Sequence, residues 1–138
     1  MIRVLLDVNI VLDVLANREP FAEDAAAVLQ LVEAGVIDGL LSAHTVTTLH
    51  YLLSRHLGKA RAKKVLGDLL QLVGVVAVDE HTIRHALAMN WTDFEDAVQA
   101  ACAETAEVDY LVTRDKKGFK QSAVGVVTSA ELIAILGR

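Results

Sequence analysis

The chain has 138 residues, of which 54% are hydrophobic and 22% charged, and its formal net charge is −5 at pH 7. This composition excludes a disordered chain and predicts a single domain over residues 1–138 with a substantial core. The acidic balance excludes a general nucleic-acid coat, but it leaves a locally basic groove open. Because aromatic residues make up only 4% of the chain, the core is expected to be aliphatic.

The chain contains one cysteine, Cys102, which lies inside a predicted helix. A buried thiol is therefore expected at this position rather than a nucleophile, and a single cysteine cannot form a disulfide framework. The sequence shows neither an N-terminal signal pattern nor an apolar run of membrane-spanning length. We therefore expect a cytoplasmic protein.

Short apolar runs alternate with helical patterns along the whole chain. Strands are predicted at residues 2–6, 36–42, 75–78, 110–113 and 124–127, and helices at about 10–16, 21–34, 45–57, 59–72, 80–89, 93–104 and 129–136. The expected N-terminal signals are Asn9 as a cap, Pro20 at a first helical position, Asp79 as a cap, and the capping boxes Thr92–Glu95 and Thr128–Glu131. The alternation indicates a three-layer α/β fold, with helices on both faces of a mainly parallel sheet of four to five strands.

Four aspartates are expected near one edge of this sheet. Asp7 directly follows the first strand and Asp115 follows the fourth, while Asp93 and Asp96 lie three residues apart at a helix start. In such sheets, functional sites lie beyond the carboxyl ends of the strands. If the two strands are neighbours, the four carboxylates converge, and oxygen ligands of this kind suit Mg²⁺ or Mn²⁺. Ions held in this way commonly hydrolyse phosphodiesters.

Three of the four aspartates also have a simpler interpretation, whereas Asp96 is harder to explain in this way. Asp93 is expected at the first helical position, where the helix dipole alone favours an acid. Asp7 could cap the following helix, and Asp115 could be a turn residue. Asn9 and Thr113 could orient a carboxylate or a bound water, although capping and strand-end polarity explain them equally well. The joint placement of the acids is what indicates a site.

Basic residues cluster beside the fourth strand. Arg114, Lys116, Lys117 and Lys120 surround Asp115, where they could bind a phosphate backbone. A second basic set, between residues 55 and 64, is interpreted as solvated surface. The five histidines match no zinc pattern, and the sequence contains neither a P-loop nor a nucleophile-elbow motif.

Four segments together resemble the PIN domain, a family of small metal-dependent nucleases. They are LLDVNIVLD, SAHTVTTLHYLL, DFEDAVQAACAE and DYLVTRDKKGF, and they span nearly the whole chain. The resemblance implies Asp7, Asp96 and Asp115 as metal ligands, Asp93 as an additional acid, and Asn9 and Thr113 as small polar positions beside them.

The chain departs from the family pattern at one position. The family usually carries an acid, most often Glu, early in the helix after the second strand, and the counterpart here is Thr48, with His50 close by. No acid occurs between Ala43 and Leu66. Three alternatives follow: Asp93 supplies the missing carboxylate, the protein binds metal weakly, or it has lost activity.

The resemblance also implies a function. Many short PIN proteins are toxins of bacterial toxin–antitoxin pairs, which cut RNA until a partner protein blocks the site, and they commonly form homodimers. The leading hypothesis is a Mg²⁺- or Mn²⁺-dependent endoribonuclease that leaves a 5′-phosphate, with the helices of residues 45–72 as the dimer interface. One alternative is a PIN-like domain kept for binding RNA or protein without catalysis. A phosphatase beginning with a D-x-D motif ranks third, because its second acid is replaced by Asn9.

Overall fold

A computed structural model describes all residues from 1 to 138. The strands are β1 (Ile2–Leu6), β2 (Ile37–Ser42), β3 (Gly74–Val76), β4 (Tyr110–Val112) and β5 (Gly125–Val127). The helices are α1 (Val8–Leu15), α2 (Ala22–Glu33), α3 (Ala43–Leu57), α4 (Lys59–Leu69), α5 (Glu80–Met89), α6 (Phe94–Thr105) and α7 (Ser129–Ile135). A single 3₁₀ turn, Lys116–Phe119, lies between β4 and β5. Every predicted strand and helix is confirmed, with shifts at several ends.

The five strands form one parallel sheet in the order β3-β2-β1-β4-β5. Strand β1 is central, and the chain order reverses on its two sides, which is the point where ligands bind in open α/β sheets. The register pairs Leu6 with Val112. The residues that follow this pair, Asp7 and Thr113, therefore leave the sheet side by side.

Two hydrophobic layers cover the two faces of the sheet. Val4 and Leu6 of β1 pack into one layer with α1, α2, α3, α4 and α7, whereas Leu5 packs into the other with α6. This alternation is the period of two that a strand imposes on its side chains. The three-layer α/β architecture is confirmed, and so is the burial of Cys102. No helix has the length and apolar character needed to cross a membrane.

Three of the predicted helix-start signals are wrong. Asp7 rather than Asn9 caps α1, because the helix begins directly after β1 and Asp7 accepts a hydrogen bond from the Val8 amide at 2.8 Å. Asp93 rather than Thr92 caps α6, so the predicted Thr92–Glu95 capping box is wrong by one residue. The residue capping α2 is Phe21, so Pro20 precedes that helix. The Thr128–Glu131 capping box of α7 is confirmed.

Candidate functional site

The four predicted aspartates line one pocket of about 240 Å³ at the carboxyl edge of the sheet. Asp7 comes from the end of β1, Asp115 from the segment after β4, and Asp93 and Asp96 from the start of α6. Pairing of β1 with β4 brings the first two together. The pocket is also lined by Val8, Asn9, His44, Thr45, Thr48, Glu95, Gln99 and Phe119.

Asp7 is held by two hydrogen bonds. Its Oδ1 accepts from the Val8 amide at 2.8 Å, and its Oδ2 accepts from the Thr113 hydroxyl at 2.9 Å. The same hydroxyl accepts from the backbone amide of Asp115 at 3.1 Å. Thr113 is fully buried. One hydroxyl group therefore sets the position of Asp7 relative to the Asp115 backbone.

The environment of Asp7 opposes its negative charge. Burial raises the pKa of this carboxyl above its ordinary value, and the charge of Asp115 acts in the same direction. Hydrogen bonds from Thr113, Val8 and Gln99 counteract the rise in pKa only in part. The protein groups around Asp7 therefore do not fully stabilise its ionised form. A positive charge nearby would stabilise it further.

Asp96 is the most strongly perturbed acid in the pocket. Burial is the largest cause that raises its pKa to about 6, and repulsion by Asp93, Asp7, Asp115 and Glu95 adds to it. Like charges this close cannot all ionise without cost unless a cation lies among them. A cation among these carboxylates would relieve their mutual repulsion.

The donor atoms fit a hard divalent ion. All the acidic side chains offer carboxylate oxygens, and Gln99, one turn after Asp96 on α6, adds an amide oxygen, Oε1, that is buried without a hydrogen-bond partner. Carboxylate and amide oxygens are the ligands that Mg²⁺ and Mn²⁺ prefer. No three acidic side chains already form a closed coordination sphere. Binding would therefore require the carboxylates to move inward.

The α3 wall of the pocket carries no carboxylate. It presents Thr48, Thr45 and His44, as the missing family acid implies. Glu95, expected only as a capping partner, lies opposite this wall, with its Oε2 3.7 Å from Nε2 of His44. Glu95 is thus a further carboxylate at the pocket, in addition to Asp93.

Sequence reasoning missed several residues of the pocket, among them Glu95, Gln99 and His44. Gln99 follows Asp96 by three residues and His44 precedes Thr48 by four, spacings that place each pair on one helical face. Those spacings could have identified both. Glu95 was missed because the helix start was placed one residue too early. His44 is the only histidine that lines the pocket.

The three predicted RNA-binding residues differ in their contacts. Arg114 points away from the pocket: its Nη1 lies 3.5 Å from Oδ1 of the buried Asp13, and its guanidinium lies 4.2 Å from the centroid of the Phe21 ring. Lys116 donates to the carboxylate of Glu131 at 3.0 Å. Lys117 is exposed and makes no ion pair. Of the three, only Lys117 is without an intramolecular partner.

Comparison with known proteins gives a consistent picture. The sequence profile of the PIN domain matches residues 3–117. Ribonuclease VapC1 of Aquifex aeolicus is 24% identical over 137 residues, which cover 94% of this chain and 92% of that protein.

Solved structures with the same fold include FitAcB from Neisseria gonorrhoeae, with 27% identity and a TM-score of 0.66 over 92% of this chain and 98% of that chain. DNA-bound VapBC from Salmonella typhimurium has 16% identity and a TM-score of 0.70, over 94% of this chain and 99% of that chain. A toxin–antitoxin complex from Klebsiella pneumoniae has 22% identity and a TM-score of 0.69, over 91% and 97%. The family profile spans most of the chain, from β1 into the 3₁₀ turn after β4, and includes Asp7, Asp93, Asp96 and Asp115. The chain belongs to the PIN domain family.

Proposed function

We propose that this protein is a divalent-metal-dependent endoribonuclease and the toxin of a toxin–antitoxin pair. The observation that carries the proposal is the gathering of Asp7, Asp93, Asp96 and Asp115 around one pocket at the central switch point of the sheet. It is supported by the similarity to a ribonuclease, VapC1. It is supported further by a fold shared with components of toxin–antitoxin complexes.

Asp7, Asp96 and Asp115 would hold Mg²⁺ or Mn²⁺, with Asp93 as a further ligand or water-positioning base. When bound, the cation would supply Lewis-acid activation of the attacking water and neutralise charge on the phosphate. Without a cation, the carboxylates of this pocket repel a phosphodiester. Thr113 fixes the orientation of Asp7, and the side chain of Gln99 lies beside it. We expect a 5′-phosphate on the product.

RNA cleavage by the purified protein with Mn²⁺ tests the proposal. Asp96→Asn preserves the shape of the side chain and removes its charge, so we expect a loss of at least about 100-fold in rate, equivalent to about 2.7 kcal/mol of barrier. Asp68→Asn, on the exposed face of α4, is the matched control and should cleave like wild type. Chelation of the metal should abolish cleavage by wild type and by Asp68→Asn. Equal cleavage by wild type and Asp96→Asn would contradict the assignment.

Lys117 is proposed as the main phosphate contact, with Lys116 and Arg114 contributing less because their charges already have partners. Positive side chains bind the RNA backbone without reading its sequence. The net charge of −5 makes the location of such residues important, because most of the surface does not attract RNA.

An apolar groove supports an antitoxin partner. Its volume is about 670 Å³, and its lining includes the apolar Leu12, Leu53 and Val65 together with the basic side chains Arg18, His56 and Arg61. Such a surface suits an amphipathic segment with acidic residues. Because Asn9 lines both the groove and the acidic pocket, a partner seated there would reach the site. Binding of the protein encoded by the neighbouring reading frame, and inhibition of cleavage by it, tests this.

A homodimer is also proposed, through α3 and α4. Tyr51 on α3 is 60% exposed, and Leu57 and Leu70 add exposed apolar surface at the ends of these helices. Light scattering of the purified protein would measure the mass. A monomer at micromolar concentration would exclude this interface.

The second candidate is a PIN domain that binds RNA or protein without catalysis, and the observation that favours it is Thr48 in place of an acid on α3. Calorimetric titration with Mn²⁺ separates the two candidates. Binding by wild type that is lost in Asp7→Ala supports the nuclease, whereas no binding by wild type supports the second candidate. The D-x-D phosphatase is not retained, because the family match assigns the Asp7–Asn9 segment to a PIN domain.

A further inference from the structure

Gly118 lies against the acidic pocket in the 3₁₀ turn after Asp115. A Cβ placed on this glycine would stand 2.7 Å from Oδ2 of Asp96 and 3.4 Å from Oδ2 of Asp115. Real Cβ atoms are essentially never found as close as 2.7 Å. The missing side chain of Gly118 thus leaves open the space that these two carboxylate oxygens face.

Backbone conformation does not explain this glycine. Gly118 is not among the glycines with positive φ, which are Gly35, Gly58 and Gly137. Any L-residue could adopt its conformation, so the reason for glycine is space rather than torsion.

The 3₁₀ turn cannot easily move away from Asp96. The next residue, Phe119, is 98% buried, packs in the same hydrophobic layer as α6, and meets the Trp91 ring edge-on at a centroid distance of 6.2 Å. Lys116 at the start of the turn is tied to Glu131. A side chain at position 118 would therefore displace the Asp96 carboxylate, because the Asp96 side chain can move more easily than the 3₁₀ turn.

The Asp96 carboxylate shares the pocket with other acids. Asp93, Asp7 and Glu95 surround Asp96 with negative charge, in addition to Asp115. A shift of the Asp96 carboxylate away from Gly118 would therefore change its position relative to these acids.

We propose that Gly118 is a positioning residue, whose missing Cβ leaves the carboxylates of Asp96 and Asp115 the space to approach a shared divalent cation. The inference rests on the proposed metal-dependent function. It adds a requirement for metal binding at a residue of the 3₁₀ turn that is not itself a metal ligand.

Mn²⁺ titration by calorimetry, with Gly118→Ala and wild type, tests the proposal. Gly67→Ala is the matched control, because its Cβ would meet nothing within 4 Å on α4. We expect Gly118→Ala to bind Mn²⁺ at least tenfold more weakly than Gly67→Ala. Equal affinity in both variants would overturn the inference while leaving the metal site intact. Failure of wild type to bind Mn²⁺ would instead overturn the proposed function, and the inference with it.

A double-mutant cycle in metal-free protein tests whether Gly118 acts through Asp96. Gly118→Ala is introduced into wild type and into Asp96→Ala, and urea midpoints are measured. Because Asp96→Ala removes the atom that the new Cβ would meet, the midpoint change caused by Gly118→Ala should be more favourable in that background. Identical changes in both backgrounds would show that Gly118 does not act on Asp96.

Discussion

The hydroxyl of Thr113 donates to Oδ2 of Asp7 at 2.9 Å and accepts from the amide of Asp115 at 3.1 Å. A single buried side chain thus joins the ends of two neighbouring parallel strands, each of which contributes an acid to the pocket. Without this link, the relative position of Asp7 and Asp115 would depend on the backbone alone. Such outer partners orient ligand carboxylates and tune their affinity for metal.

We expect Thr113→Val to weaken Mn²⁺ binding and RNA cleavage by about 10- to 100-fold, since loss of an orienting partner typically has this effect. It should also lower the free energy of unfolding by about 2 kcal/mol, because a buried hydrogen bond to a carboxylate is lost. Thr82→Val is the matched control: Thr82 is buried, and its hydroxyl donates to the capping Asp79 at 2.9 Å, outside the pocket. A similar loss of stability with unchanged cleavage is expected there. Full cleavage by Thr113→Val would contradict the positioning role.

Asp96 should make the metal-free protein less stable as pH rises. Its folded pKa of about 6 exceeds the ordinary 3.8, so between these values the folded state binds more protons than the unfolded state. Stability therefore increases as pH falls from about 7 to about 4, and the destabilisation is complete above about pH 6. The shift corresponds to about 3 kcal/mol at full value, which solvent screening reduces to roughly 1–2 kcal/mol.

Asp96→Asn should therefore raise the free energy of unfolding at pH 7 and flatten its dependence between pH 4 and 6, as measured by urea unfolding without metal. With Mn²⁺ present, the charge of Asp96 should instead be stabilising. Mn²⁺ should raise the free energy of unfolding of wild type at pH 7 but not that of Asp96→Asn. Asp68→Asn provides the control for a general change in net charge. An unchanged pH profile for Asp96→Asn would show that neither burial nor repulsion by the neighbouring acids raises the pKa of Asp96.

Asp93 has two roles that substitution can separate. Its Oδ1 accepts from the Asp96 amide at 3.1 Å and so caps α6. Asparagine keeps this cap without the charge, whereas alanine removes both. We expect Asp93→Ala to lose about 1 kcal/mol of stability relative to Asp93→Asn, in urea unfolding.

In cleavage assays, Asp93→Asn should be less impaired than Asp96→Asn, because one Asp93 oxygen already accepts a hydrogen bond from the start of α6. The reverse order would make Asp93 the principal ligand.

The sheet and the convergence of the acids could be predicted because they depend on coarse patterns. Apolar runs between helical segments mark buried parallel strands, and Asp7 and Asp115 each follow such a run. Convergence needed one further condition, that β1 and β4 be neighbours, and the sequence alone did not decide it. The pairing of Leu6 with Val112 satisfies it.

Two kinds of detail could not be predicted from the sequence: helix boundaries to within one residue, and the direction of individual side chains. Moving the cap of α6 from Thr92 to Asp93 changes Glu95 from a capping partner to a pocket carboxylate. Arg114 was expected beside the phosphate, yet it pairs with the buried Asp13 and lines a different pocket from the four acids. Long-range ion pairs of this kind have no local sequence signature.

The contacts of Arg114 and Lys117 predict different effects of removing them. Lys117→Ala should weaken RNA binding and reduce the salt dependence of log K by about 0.7, the value for one phosphate contact on a single strand, without changing stability. Arg114→Ala should mainly lower stability, by about 1–2 kcal/mol, because Asp13, only 1% exposed, loses one of its two arginine partners and Phe21 loses its stacked cation. Filter binding at several salt concentrations and urea unfolding measure the two effects. A larger loss of RNA affinity for Arg114→Ala than for Lys117→Ala would mean that RNA binding draws Arg114 away from Asp13.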